Sequence, residues 1–215
     1  MGVHIEAFIL YIVIFFSQTV IFFITGREFE TASFSINSLL LTILIYFIPS
    51  IIMILFLLYR KKKPEYRLVK PKINDLFSGL ITLPALFLIG IIISFFSLLF
   101  GTVFREPLIP SPSTPSGWVT LCIYCLFAAY LEEIYFRFYL LSKKEELRLT
   151  APFALIISSL LFGICHLYGG FWGFLNAFLA GLLLGGIFLR YRAIHGIAIA
   201  HAAYNITAFI LARGL

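Results

Sequence analysis

Apolar residues fill most of this chain in stretches of roughly twenty, interrupted by short polar and charged segments. Seven stretches stand out: Ile5 to Thr25, Leu39 to Tyr59, Leu76 to Phe100, Trp118 to Leu141, Pro152 to Tyr168, Phe171 to Leu189 and Ile194 to Leu211. A helix of about twenty residues, rising about 1.5 Å per residue, spans the hydrocarbon core of a bilayer. No segments of about ten residues alternate between apolar and polar, as the strands of a membrane barrel would. The pattern therefore predicts an all-α polytopic membrane protein with about seven transmembrane helices, seven or eight, in a single membrane domain over residues 1–215. The first stretch lacks a basic start and a small-residue cleavage site, so it reads as a permanent span and not a signal peptide.

Composition narrows the chemistry. The 215 residues are 61% hydrophobic and 12% charged, far from a soluble domain. There is one aspartate, Asp75, which excludes mechanisms that need an aspartate pair. Cys122, Cys125 and Cys165 all fall in apolar runs and read as small buried hydrophobes.

The net charge of +6 has a membrane explanation. With the N-terminus cytoplasmic, the inner segments carry Arg60, Lys61, Lys62, Lys63, Arg67, Lys70, Lys72, Lys143, Lys144, Arg148, Arg190 and Arg192, whereas the outer ones carry Arg27, Arg105 and Arg213. This is the positive-inside bias, and it removes the need for a nucleic-acid partner. The outer loop before the fourth stretch is stiffened by Pro107, Pro110, Pro112 and Pro115. One basic residue remains: Arg137, inside the fourth span with Glu132 and Glu133. A charge at the centre of a bilayer costs about 2.5 to 3.5 kcal/mol or more, so three within six residues require a reason.

Helix geometry gives the three charges different tasks. Glu133 and Arg137 are four apart, in the order that favours an ion pair. Glu132 points about 100° away with no local cation, and a carboxylate facing a semi-dry cavity suits a general base near neutral pH. The fifth span places Phe162 and His166 one turn apart, and the seventh does the same for His201 and Asn205. Counted from the cytoplasmic helix ends, Glu132, His201 and Asn205 come out about 13, 10 and 16 Å deep, and His166 about 21 Å. His166 joins the others only if the fifth span tilts or starts later than drawn. His195 reads as interfacial, Asn176 as cavity lining or a helix bridge, and His4 and Glu6 as boundary residues without function.

The motifs Glu-Glu-x-x-Phe-Arg at 132–137, Phe-x-x-x-His at 162–166 and His-x-x-x-Asn at 201–205 resemble the signature of the CPBP (Abi) family. These are the CAAX-protease and bacteriocin-processing membrane proteins, which include the type II CAAX prenyl endopeptidases. The resemblance covers residues 118–215 as a catalytic core and leaves 1–101 as variable N-terminal spans. It implies a glutamate-dependent intramembrane endopeptidase. Glu132 would activate a water, His166 would help hold it, and His201 and Asn205 would form the oxyanion hole, with Glu133, Arg137 and Phe162 in support. The implied partners are a peptide or prenylated peptide substrate and the bilayer, the implied location a prokaryotic plasma membrane with the site open to the cytoplasm. No cofactor is expected. The alternatives are a zinc protease using Glu132, His166 and His201, which would fit a His₂Glu set but without an HExxH motif, and a non-enzymatic bacteriocin-immunity protein.

Overall fold

A computed structural model describes residues 2–25, 34–60, 71–102 and 111–212. Among these there is no strand, and seven helices make up the protein: α1 (residues 3–25), α2 (Ile36–Tyr59), α3 (Ile73–Leu99), α4 (Pro115–Ser142), α5 (Ala151–Cys165), α6 (Gly170–Tyr191) and α7 (His195–Ala212). Each falls within a few residues of an expected span. Helices α1 to α4 and α6 are long and apolar enough to cross a membrane, whereas α5 and α7 are apolar but shorter. The basic run at 61–70, together with Arg27, Arg105, Arg213, Pro107 and Pro110, lies outside the described residues.

The surface is that of an integral membrane protein. Large apolar side chains such as Ile24, Ile45 and Phe100 are 78%, 71% and 73% exposed, while Ser78, Thr82, Glu133 and Arg137 are buried. Water would not tolerate so much apolar exterior, and hydrocarbon does.

Local chemistry explains where the helices begin and turn. The Thr114 hydroxyl accepts a 3.1 Å hydrogen bond from the Gly117 N–H, with Pro115 at the first helical position, and this starts α4. Asp75 accepts from the Lys72 N–H at 2.8 Å, capping α3, and its other oxygen accepts from the Gly196 N–H at 3.1 Å, tying α3 to α7. The turn from α5 into α6 passes through Gly170 at φ +69°, a left-handed conformation that glycine adopts without strain.

Three helices contain π-helical stretches: Tyr11–Phe16 in α1, Ile43–Phe47 in α2 and Ile134–Tyr139 in α4. The last lies directly after Glu132 and Glu133, and all six of its residues are buried. Such wider turns concentrate at functional sites. Here the stretch is the centre of the bundle. Tyr135 and Tyr139 stack on one face and donate hydrogen bonds to α1, at the Ala7 carbonyl and the Glu6 carboxylate, both 2.7 Å. On another face the Ser158 hydroxyl of α5 donates to the Phe136 carbonyl at 2.6 Å.

Candidate active site

Glu132, His166, His201 and Asn205 line one cavity of about 700 Å³, and Phe162 forms part of its wall. Four helix contributions therefore meet in one space: α4 supplies the glutamate, α5 the phenylalanine, the junction after α5 one histidine, and α7 the other histidine and the amide. The remaining wall is largely apolar, with Ile14, Phe15, Phe47, Leu86 and Leu131. Gln18, Leu41 and Ile45 also line it and are exposed, so the cavity reaches the outer surface beside α1 and α2.

His166 is oriented by the end of its own helix. Because α5 stops at Cys165, its last carbonyls lack intrahelical donors, which lipid would not supply. The His166 N–H bonds the Gly163 carbonyl at 2.9 Å, and Nδ1 bonds the Phe162 carbonyl at 2.8 Å. A carbonyl only accepts, so Nδ1 carries a proton and donates it to this bond. α5 begins at Ala151, no later than the span expected from the sequence, and its end nevertheless lies beside the cavity, where His166 joins Glu132, His201 and Asn205.

His201 is held from the opposite side. Its Nδ1–H donates to Glu133 Oε1 at 2.9 Å, and Nε2 stands 3.6 Å from Glu132 Oε2. That separation is beyond hydrogen-bonding distance. Glu132 Oε2 makes no hydrogen bond among the described residues. The sequence offers Glu132 no cation on its own helix; the structure places the His201 imidazole beside it, from α7.

The pair expected on α4 is present: Arg137 Nε lies 3.1 Å from Glu133 Oε2, with both side chains essentially inaccessible. The guanidinium sits over the Phe162 ring, 4.5 Å from its centroid. That ring in turn meets His166 at 4.7 Å and His201 edge-on at 6.0 Å. Cation–π contact in a desolvated setting is worth about 2 kcal/mol. Arg137, Glu133 and Phe162 thus form a packed backing from which both imidazoles project.

One residue, Glu6, departs from expectation. Glu6, read as a boundary residue without function, is 2% exposed; it bonds Arg60 at 2.8 Å and Tyr139, with Lys143 at 3.7 Å. A lone carboxylate within an apolar run was the available signal, since such a charge demands partners. Asn176 lines the cavity, and His195 Nδ1 lies 2.9 Å from the Tyr130 hydroxyl. The three cysteines are free thiols. The bond from Glu133 to His201 had no signal in the sequence, because it joins helices 68 positions apart.

No three His, Cys, Asp or Glu side chains among the described residues come together as a metal-ligand set. Glu132, His166 and His201 share a cavity, and each histidine is oriented through Nδ1, by the Phe162 carbonyl and by Glu133.

Residues 114–207, the span from the cap of α4 into α7, match the family model described as Rce1-like, type II CAAX prenyl endopeptidase Rce1-like. All the cavity residues singled out on α4 to α7 fall within that match, which supports a membrane protease. Among curated proteins and among solved structures, nothing matches the chain.

Proposed function

We propose that this protein is a CAAX-type intramembrane endopeptidase that hydrolyses a peptide bond with a glutamate-activated water. The observation that carries this reading is the Glu132 carboxylate, turned into the cavity with an oxygen that makes no hydrogen bond among the described residues, beside two imidazoles oriented through Nδ1.

The steps follow from donors and acceptors. A water in the cavity gives one proton towards Glu132 and directs its other hydrogen to the lone pair on His166 Nε2. Its oxygen attacks the scissile carbonyl carbon, and the developing oxyanion accepts from His201 Nε2–H and the Asn205 amide. Since His201 Nδ1–H is already given to Glu133, a donor at Nε2 as well means the ring acts as an imidazolium. Two carboxylates, Glu132 and Glu133, flank that cation, and Arg137 balances the second of them. When the tetrahedral intermediate collapses, the C–N bond breaks and the proton on Glu132 passes to the leaving amine.

The substrate is a prenylated peptide with a C-terminal CAAX sequence. The family description of residues 114–207 and the apolar wall around the polar site support this assignment. We read the N-terminus and the opening of the site as cytoplasmic, an orientation that the distribution of basic residues supports. The test compares a farnesylated CAAX peptide with its unprenylated counterpart and with a bacteriocin leader peptide, using purified protein in lipid. Cleavage of the farnesylated peptide alone is expected. Cleavage of the leader peptide in preference would overturn the substrate assignment, and cleavage of none would favour a non-enzymatic immunity protein.

A further inference from the structure

Outside residues 114–207, α1 carries a polar contact that points at the site. Hydroxyls in apolar helices ordinarily turn back on their own backbone. Ser17 does so to the Val13 carbonyl, Thr42 to Ser38, Thr120 to Ser116 and Thr207 to Ala203, all near 2.9 Å. Thr19 does not. It is 2% exposed, and its hydroxyl donates across the helix boundary to the Cys165 carbonyl at 2.8 Å.

Cys165 is the last residue of α5, and its carbonyl shares a peptide plane with the N–H of His166. One turn earlier the Tyr11 hydroxyl donates to the Leu161 carbonyl at 3.1 Å, which shares a peptide plane with Phe162. Thus α1 grips α5 at the two peptide groups that lead into Phe162 and His166. At the other end of the same helix, Tyr135 and Tyr139 of the π-helical stretch of α4 donate to Ala7 and Glu6. The helix therefore fastens to both elements that carry the glutamate and the first histidine.

We propose that Thr19 is a positioning residue for His166: by closing the last carbonyl of α5 it fixes the peptide plane from which the imidazole reaches the cavity. The proposal rests on the role given to His166 above. It also makes α1, a span outside the matched region, a working part of the site. A helix end inside a bilayer has few ways to satisfy its carbonyls, so a buried hydroxyl from a neighbouring helix sets where that end lies. Misplacing a catalytic group by about 1 Å costs on the order of 100-fold in rate.

The experiment measures kcat and KM per folded molecule for the wild type, Thr19→Val, Thr19→Ser and His166→Ala in lipid, on whichever peptide the wild type cleaves. Thr19→Val keeps the shape and removes the donor; kcat is expected to fall about tenfold to 100-fold with KM within about twofold of wild type. Thr19→Ser, which keeps the hydroxyl, is expected to restore most of that loss. Tyr11→Phe gives the same kcat-selective loss in smaller measure, and it decides the question if Thr19→Val does not fold. Wild-type kcat in Thr19→Val beside an inactive His166→Ala would overturn the positioning role and leave the peptidase reading intact. Cleavage that survives His166→Ala would overturn both.

Discussion

Replacing Arg137 by methionine tests the backing of the site most sharply. Met matches much of the side chain's volume and removes the charge, leaving Glu133 fully buried with His201 as its remaining partner. The direct attraction at 3.1 Å is about 5 kcal/mol at an effective dielectric constant near 20. Breaking a buried pair by removing one member costs about 3 to 5 kcal/mol, because the other charge is left uncompensated. Loss of the contact with Phe162 adds about 2 kcal/mol. Arg137→Met should therefore destabilise the protein by at least about 3 kcal/mol, read as a fall in unfolding midpoint in detergent. The double variant Glu133→Gln/Arg137→Met removes the stranded charge and is expected to regain most of that stability. It should stay inactive, because a neutral amide facing Nδ1 no longer stabilises the cationic form of His201. Equal destabilisation in the single and double variants would refute the ion-pair reasoning, and an active double variant would refute the role given to Glu133.

Two glycines make a paired test of helix packing. A Cβ at Gly196 would lie 1.9 Å from the Asp75 carbonyl oxygen, a backbone atom that cannot step aside, so Gly196→Ala should separate α3 from α7 and destabilise by at least about 2 kcal/mol. A Cβ at Gly186 meets nothing within 4 Å, and Gly186→Ala should be neutral or stabilising by up to about 1 kcal/mol through helix propensity; the two unfolding midpoints should diverge. Glu6→Gln leaves Lys143 buried with a weaker partner and should lower thermal stability by about 1 to 3 kcal/mol, with a smaller effect in Lys143→Met/Glu6→Gln. Incubation with a zinc chelator should leave peptide cleavage unchanged; loss of activity restored by stoichiometric zinc would return Glu132, His166 and His201 to the role of ligands.

The spans were readable because apolar runs leave a bilayer-crossing helix few alternatives, and α1 to α7 coincide with them. The meeting of Glu132, His166, His201 and Asn205 in one cavity was readable too, since polar groups on separate apolar helices gain most by facing one another. Contacts between helices were not. Glu133 pairs with Arg137 four residues away, which spacing reveals, yet its second bond goes to His201 on another helix. The short α5 was also hidden: Pro152 and Gly169-Gly170 bracket it, but the Thr19 and Tyr11 hydroxyls that meet its Cys165 and Leu161 carbonyls come from α1, distant in the chain. Glu6 looked peripheral because its partners, Arg60, Tyr139 and Lys143, are distant in the chain.

The most direct test of glutamate-activated hydrolysis is kcat of Glu132→Gln on the farnesylated CAAX peptide, measured beside an unfolding midpoint. The substitution keeps size and polarity and removes the base. A folded protein with cleavage reduced by at least about 100-fold is the expected result. A folded Glu132→Gln that cleaves at the wild-type rate would contradict it.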